Sequence, residues 1–238
     1  RGTLYCDRLK EYDRAIADFS RIIKLDPKEV QAYCNRGIAR EAKGDSKGAL
    51  ADYNQAIQIN PKFAFAYAHR GALYCEVWGD YDRAIADCSR AIELDPKSVE
   101  AFCNRGFARK SKGDLQGATV DYGKAIQINP KYTHAYLQRG IIYCDHLGDN
   151  DRAIADFSRV IELDPKNATA YCNRGIARGN KGNREDAIAD YRQALQLDPK
   201  YAGAYLGRGA FYCDILKDYD RAIADFSRVI KLEPKNNF

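Results

Sequence analysis

Residues 28–61 read KEVQAYCNRGIAREAKGDSKGALADYNQAIQINP, and this stretch decides the fold. Apolar residues recur at helical spacing in two segments, 30–43 and 46–59. Between them, Gly44 suits the left-handed position that ends a helix, and Asp45 suits the N-cap of the next one. The stretch therefore predicts a helix A, a turn and a helix B, closed by an Asn-Pro turn that a helix does not cross.

The same text returns along the whole chain. Seven prolines mark it at intervals of 34 and 35 residues: Pro27, Pro61, Pro96, Pro130, Pro165, Pro199 and Pro234. A fixed period of this length is typical of a solenoid, in which one helix pair stacks on copies of itself. We expect fourteen helices, the first incomplete, in these repeats: 1–27 (truncated), 28–61, 62–96, 97–130, 131–165, 166–199 and 200–234.

Small and aromatic residues occupy fixed places in the repeat. A glycine lies ten residues after each of the first six prolines: Gly37, Gly71, Gly106, Gly140, Gly175 and Gly209. An aromatic residue lies eight before most prolines, with Cys88 as the exception: Phe19, Tyr53, Tyr122, Phe157, Tyr191 and Phe226. Because glycine inside a helix costs about 1 kcal/mol against alanine, its recurrence predicts a close approach of helices A and B.

Three sequence patterns carry a resemblance to a known family. They are Ala-[Tyr/Phe]-x-x-Arg-Gly, then Gly-Asp-x-x-x-Ala-[Ile/Leu]-x-x-[Tyr/Phe], then Ala-[Ile/Leu]-x-[Leu/Ile]-[Asp/Asn]-Pro. In register across the chain, they resemble the tetratricopeptide repeat (TPR). The resemblance implies an all-α fold in which antiparallel helix pairs form one right-handed superhelical solenoid over residues 1–238. It also implies a concave face, lined by the A helices, that binds a peptide or partner segment.

Carried over by offset, the resemblance places the ligand groove four, eight and eleven residues after each proline. The candidate groove residues are Gln31, Asn35, Ile38, Phe65, His69, Glu100, Asn104, Phe107, His134, Gln138, Ile141, Thr169, Asn173 and Ile176. None is Lys or Arg, although the net charge of the chain is +5. Phosphate backbones require basic linings, so nucleic acid is disfavoured. Part of the family binds the C-terminal carboxylate of its partner with an Asn and with Lys and Arg on adjoining A helices. This chain has the Asn residues but not the Lys and Arg, so the resemblance does not imply such a carboxylate clamp.

Two charged residues also recur at fixed places in the repeat. Arginine lies nine residues after a proline and aspartate nine before the next one. We expect them to pair between neighbouring helices and fix their register; an anion-binding arginine stripe is the alternative. A lysine directly follows each proline and forms a basic edge: Lys28, Lys62, Lys97, Lys131, Lys166, Lys200 and Lys235.

A second period lies within the first. Residues 28–96 and 97–165 share 44 of 69 positions. The 35-residue copies carry one extra residue between the helix A glycine and the turn, and Tyr where the 34-residue copies have Arg. The pattern predicts duplication of repeat pairs and an alternating local geometry.

Eight cysteines recur mainly at 69-residue spacing, as in Cys6, Cys75, Cys144 and Cys213. Equivalent points of stacked repeats lie beyond the ~7 Å limit for a disulfide, so we expect free, buried thiols and a reducing compartment such as the cytoplasm.

No zinc-ligand spacing, phosphate loop or hydrolase motif occurs. We expect neither an enzyme nor a metal or cofactor. No run is apolar enough for membrane insertion. Because the chain starts at Arg1 and has no Met, we expect a fragment of a longer protein or a mature piece, and targeting signals could lie outside it.

The sequence favours a protein–protein interaction scaffold, and it does not identify the partner. A self-assembling element that stacks head-to-tail through its terminal repeats is the alternative. Nucleic-acid binding through the turn lysines is the third hypothesis.

Overall fold

The structure, a computed structural model, describes residues 11–233. Within this range it consists of α-helices, which pair in sequence order. They are α1 (Tyr12–Leu25), α2 (Val30–Lys43), α3 (Ser46–Ile59), α4 (Ala64–Trp78), α5 (Tyr81–Leu94), α6 (Val99–Ser111), α7 (Leu115–Ile128), α8 (Thr133–Ile141), α9 (Asn150–Leu163), α10 (Ala168–Asn180), α11 (Arg184–Leu197), α12 (Ala202–Phe211) and α13 (Tyr219–Leu232). The all-α, stacked-pair prediction is confirmed. The incomplete first helix that the sequence predicted lies outside the described residues.

The helices divide between two compact units, Arg1–Ile128 and Asn129–Phe238. In each unit every A helix packs against the B helix that follows it, and every B helix packs against the next A helix. Each helix pair therefore buries its apolar side against its neighbours in sequence, as a repeat architecture requires.

The turns within repeats follow the predicted chemistry. Gly44 has a φ of +89°, and the side chain of Asp45 accepts a hydrogen bond from the Gly48 amide at 2.9 Å. The same capping aspartates recur in later copies: Asp80, Asp114, Asp149 and Asp218. Lys217 is the one non-glycine residue with a positive φ, +57°, among residues 11–233.

The turns between repeats are fixed by the residue before each proline. The amide of Lys28 donates to Oδ1 of Asp26 at 2.9 Å, closing a side-chain-to-backbone turn. The same bond recurs at Lys62, Lys97, Lys131, Lys166 and Lys200. These lysines contribute their backbone to the turn and expose their side chains.

The repeated glycine touches the buried residue at the aromatic position of its own repeat. A Cβ atom on Gly37 would lie 2.6 Å from Cε1 of Tyr53, and one on Gly140 would lie 2.7 Å from Cε1 of Phe157. Where Cys88 replaces the aromatic residue, its Sγ would lie 2.7 Å from a Cβ on Gly71. The predicted close approach of helices A and B is confirmed.

The extra residue of the 35-residue copies is absorbed at the end of helix A. In a 34-residue copy the Asp114 amide donates to the carbonyl of Arg109, five residues back. In a 35-residue copy the Asp149 amide reaches Tyr143, six residues back, and residues 142–146 form a π-helical turn. Residues 212–216 form a second such turn. In the third 35-residue copy the Asp80 amide likewise reaches the Tyr74 carbonyl, six residues back, but α4 stays α-helical to Trp78. The predicted alternation is therefore a wider turn in each 35-residue copy, formed as a π-helical turn in two of the three.

Candidate protein-interaction surface

The repeated arginines are bound within the fold. Arg105 donates from Nε and Nη2 to both carboxylate oxygens of Asp121, at 3.0 and 2.7 Å, and Asp121 is 1% exposed. This two-pronged geometry is the strong form of the arginine–carboxylate bond. The other pairs are Arg36–Asp52, Arg70–Asp87, Arg139–Asp156, Arg174–Asp190 and Arg208–Asp225. The predicted pairing is confirmed, and these arginines do not form a free anion-binding stripe.

The arginines also reach the preceding repeat. Nη1 of Arg36 donates to the hydroxyl of Ser20 at 3.0 Å, and Arg105 and Arg174 bind Ser89 and Ser158 in the same way. One guanidinium thus connects helix A with the B helices on both of its sides. These serines recur every 69 residues, and in the copy between the first two Nη1 of Arg70 donates instead to Oδ1 of Asn54 at 2.7 Å.

The residue that ends helix A differs between the two kinds of copy. In the 34-residue copies a second arginine, such as Arg109, donates to the same aspartate, Asp121, at 2.8 Å. In the 35-residue copies a tyrosine stands there, and the Arg152 guanidinium lies 5.4 Å from the centre of the Tyr143 ring. The Arg/Tyr alternation is visible in the sequence, but neither of these two partners was predicted from it. An arginine twelve residues before the shared aspartate was the available signal.

We call the positions four, eight and eleven residues after each proline the A-helix face. In the first unit, Gln31 donates from Nε2 to Oδ1 of Asn35 at 3.0 Å, and Glu100 is exposed. The rings of Phe65 and His69 lie 4.2 Å apart. Ile38 packs partly against the core, and Phe107 is 39% exposed. Asn104 donates to the Ala68 carbonyl at 3.4 Å, so it connects two A helices.

In the second unit the A-helix face is mixed. His134 is exposed, and Gln138 and Thr169 are half-buried. Ile141 and Ile176 pack against the same buried cluster, which brings these two predicted residues together across α8 and α10. The side chain of Asn173 is half-buried and makes no hydrogen bond within the part of the chain that the structure describes.

His69 is a half-buried residue on this face. Its ring stacks at 5.8 Å on that of Tyr53, which belongs to the preceding B helix. Burial lowers the pKa of His69 to about 4 because a charged imidazole would lose its hydration there. His69 is therefore a neutral, ring-filling residue at neutral pH.

The described cysteines are unpaired thiols, and most are buried: Cys34, Cys75, Cys88, Cys103, Cys144, Cys172 and the half-buried Cys213. Burial raises the pKa of Cys103 to about 12, which leaves the thiol protonated and unreactive. Cys6 lies outside the described residues. Among residues 11–233 no three potential metal-ligating side chains cluster, and no helix combines the length and apolarity needed to cross a bilayer.

The comparisons with known proteins agree with this geometry. Sequence models described as "Tetratricopeptide repeat" match residues 1–29, 30–63, 99–132, 168–201 and 202–236, and one described as "TPR repeat" matches residues 79–113 and 146–182. The chain belongs to the tetratricopeptide repeat family. No curated protein matches it significantly in sequence.

Solved structures of the same architecture align with most of the chain. MamA is 30% identical over 70% of this chain and 96% of its own, with a TM-score of 0.63. YrrB, described as "a TPR protein with an unusual peptide-binding site", is 25% identical over 78% of this chain and 95% of its own, also with a TM-score of 0.63. A tetratricopeptide repeat protein from Parabacteroides merdae shares the fold, with a TM-score of 0.71 at 21% identity over 97% of this chain and 90% of its own.

Proposed function

We propose that the chain is a non-catalytic protein-interaction module that binds a peptide or partner segment along the A-helix face of its repeats. The observation that carries the proposal is that the repeated arginines are bound within the fold. All six described copies bind a buried aspartate, which leaves the A-helix face without a cation and with a mixture of apolar, amide and acidic side chains. Such a surface suits a polypeptide better than a phosphate backbone.

The amide side chains supply hydrogen bonds for a bound backbone. Asn173 has both its donor and its acceptor available within the described residues, and Asn35 keeps its NH₂ group after accepting from Gln31. Asn104 holds the Ala68 carbonyl and so contributes mainly to helix packing. Apolar contacts come from Ile38 and Phe107 in the first unit and from Ile141 and Ile176 in the second.

The family supports this proposal, and so does the peptide-binding site in the printed description of YrrB, which aligns over 78% of this chain. Unpaired buried thiols support a reducing compartment, and we propose the cytoplasm. The turn lysines are exposed at the repeat junctions and are not among the positions of the A-helix face. We therefore keep nucleic acid as the least supported partner.

A peptide selection tests the proposal directly. A displayed library of random dodecapeptides is panned on the full chain, and the enriched peptides are labelled and titrated by fluorescence anisotropy. We expect Asn35→Ala with Ile38→Ala, or Asn173→Ala with Ile176→Ala, to weaken binding about ten-fold, as hot-spot truncations do. The matched control, Val120→Ala with Lys124→Ala on the outer side of α7, should bind as the wild type does.

Circular dichroism and thermal melting must first show that each variant is folded. Peptides that bind both face variants like the wild type, or that lose affinity only with the α7 control, would refute A-helix-face binding.

A second function, head-to-tail self-assembly, is supported by one feature of α13. Ile223 and Ile230 are 63% and 62% exposed, whereas the equivalent Ile154 and Ile161 of α9 are half-buried. In this alternative a second copy of the chain stacks on the apolar side of α13. Light scattering should then show a mass that rises with concentration, and Ile223→Lys with Ile230→Lys should abolish the rise. A constant monomer mass would exclude it.

A further inference from the structure

A cavity of about 270 Å³ opens between α10 and α12, within the second unit. Aromatic and aliphatic side chains form most of it, and two polar side chains join them. It is lined by Ile176, Gly179, Asn180, Tyr191, Gly207, Ala210, Phe211, Asp214 and Ile215. An apolar cavity of about 150 Å³ is enough to hold a benzene ring, so this one has room for a single aromatic side chain.

The cavity exists because glycine stands where other repeats have a side chain. Gly207 lies eight residues after its proline, the position of His69 and Gln138 in the two other 35-residue copies. A Cβ atom on Gly207 would lie 3.1 Å from Cε1 of Tyr191, so a side chain there would enter the space over that ring. Gly179 likewise replaces the Glu41 and Lys110 of its sister copies.

The first unit shows what fits this space. Tyr53 and His69 stand at the positions equivalent to Tyr191 and Gly207, and their rings stack 5.8 Å apart. At Tyr191 the ring of Phe211 lies 6.1 Å away at a tilt of 50°, but the place that the His69 ring takes over Tyr53 is left open by Gly207. A planar ring supplied from outside would complete the arrangement.

The rim of the cavity sets the charge of its ligand. Asp214 is exposed and forms no hydrogen bond or ion pair within residues 11–233. It is the one carboxylate of the lining, which carries no cationic side chain. Asn180 donates to Oδ1 of Asn150 at 3.4 Å, away from Asp214. The electrostatic complement of this rim is a cation adjacent to the ring.

We propose that this cavity is the specificity pocket of the A-helix face, and that it takes an aromatic side chain of the partner with a neighbouring lysine, arginine or amino-terminal cation against Asp214. The inference rests on the proposed function and adds the chemistry of the bound residue. It places the pocket in the second unit, where Gly179, Gly207 and Ala210 leave it open.

The test uses small probes that separate ring from charge. The full ¹⁵N-labelled chain is titrated with 2-phenylethylamine, phenylacetate and n-butylamine while its amide spectrum is recorded. 2-Phenylethylamine should shift the resonances of Gly179, Gly207 and Asp214 saturably, whereas phenylacetate and n-butylamine should not. Equal binding of phenylacetate, or no saturable shift at these residues with 2-phenylethylamine, would overturn the proposal.

Two variants assign the ring and the charge to their contacts. Asp214→Asn should weaken 2-phenylethylamine about three-fold, the scale of an exposed ion pair, and Asp145→Asn, outside the cavity, should not. Gly207→His should abolish binding by restoring the ring seen at His69, whereas Leu206→His, one residue away, should leave it intact. If Gly207→His does not fold, Ala210→Ile, which copies Ile141, fills the same space.

The outcomes separate this inference from the function on which it rests. One outcome is that library peptides bind through the A-helix face with the same affinity for Asp214→Asn and Ala210→Ile as for the wild type. That result would refute the specificity pocket and leave the proposed function standing. Binding of 2-phenylethylamine at the cavity, with no library peptide bound by the A-helix face of either unit, would refute the proposed function and leave a small-molecule site.

Discussion

Nη2 of Arg105 donates to Oδ1 of Asp121 at 2.7 Å, although the aspartate is buried between α6 and α7. Nε of the same guanidinium binds the other oxygen, and Arg109 donates to that oxygen as well. Two cations therefore depend on one buried anion. The pair is a constraint on helix register more than a source of stability, because burying both charges costs much of what their attraction returns.

Removing that anion should be severe. We expect Asp121→Ala to lower the free energy of unfolding by about 3–5 kcal/mol, because Arg105 is left as an uncompensated half-buried charge. Urea unfolding followed by circular dichroism measures it. The control is Asp82→Ala, whose carboxylate is 81% exposed and pairs with Lys112; such surface pairs contribute about 0–1 kcal/mol. Similar losses in the two variants would contradict the buried-pair account.

Lys217 should be replaceable by glycine with a gain. It has a φ of +57° where Gly79 and Gly148 stand in the equivalent turns, at +61° and +64°. A left-handed backbone costs an L-residue about 1–2 kcal/mol, part of which glycine recovers after its own entropic cost. We expect Lys217→Gly to raise the unfolding free energy by about 1 kcal/mol, measured by urea titration. Lys217→Ala keeps the left-handed backbone strain and should not raise the unfolding free energy. An equal rise in this variant would show that removing the lysine charge, and not relieving the strain, is the cause.

The partial burial of His69 predicts a pH dependence of stability. Its pKa is about 4 in the folded chain, against about 6.5 when unfolded. The unfolded chain therefore takes up the proton first as the pH falls, and stability is lost from about pH 6.5 downward. At pH 5 the loss should be about 2 kcal/mol.

The variant His69→Gln, which copies Gln138, isolates this effect. Urea midpoints of both proteins are compared at pH 7.5 and pH 5, which cancels the carboxylates they share. The wild type should lose more stability than the variant between the two pH values. Parallel losses would show that His69 is hydrated in the folded chain.

The glycine contact is testable at Gly140. A methyl group there would lie 2.7 Å from Cε1 of Phe157. We expect Gly140→Ala to destabilise the chain by about 1–3 kcal/mol, because overpacking outweighs the better helix propensity of alanine. In a Phe157→Leu background the same substitution should cost less, which a double-mutant cycle measures. Additive effects would mean that the two positions are not in contact.

The helix pairs were predictable because each one is written several times in the sequence. Gly44 and Asp45 fix a turn by local chemistry, and the predicted segments 30–43 and 46–59 coincide with α2 and α3. The pairing of Arg36 with Asp52 followed from two charges at fixed offsets on facing helices. Such features repeat in register, so one copy confirms the next.

The remaining features depend on contacts between copies. The π-helical turn after Ile141 appears in the sequence only as one extra residue, and the donation of Arg109 to Asp121 needs the helix crossing to be known. The cavity beside Gly207 could not be predicted, because a glycine in the sequence does not by itself indicate an open space. It is recognised by comparison with the ring of His69 at the equivalent position. The predicted groove position of Asn104 did not indicate that its amide also donates to the Ala68 carbonyl, because that bond joins two repeats.

The alternation of turn geometry also governs how such an array can change its length. Excision of residues 28–96 would join Pro27 to Lys97 and present Ser20 to Arg105 in place of Ser89, and Asp13 to Lys112 in place of Asp82, so each bond would find an identical substitute. Excision of residues 62–96 alone would place two 34-residue copies side by side. Arg105 would then meet Asn54, the present acceptor of Arg70, but Lys112 would meet Lys47 in place of Asp82. We therefore expect recombination that preserves folding to add or remove 69 residues at a time.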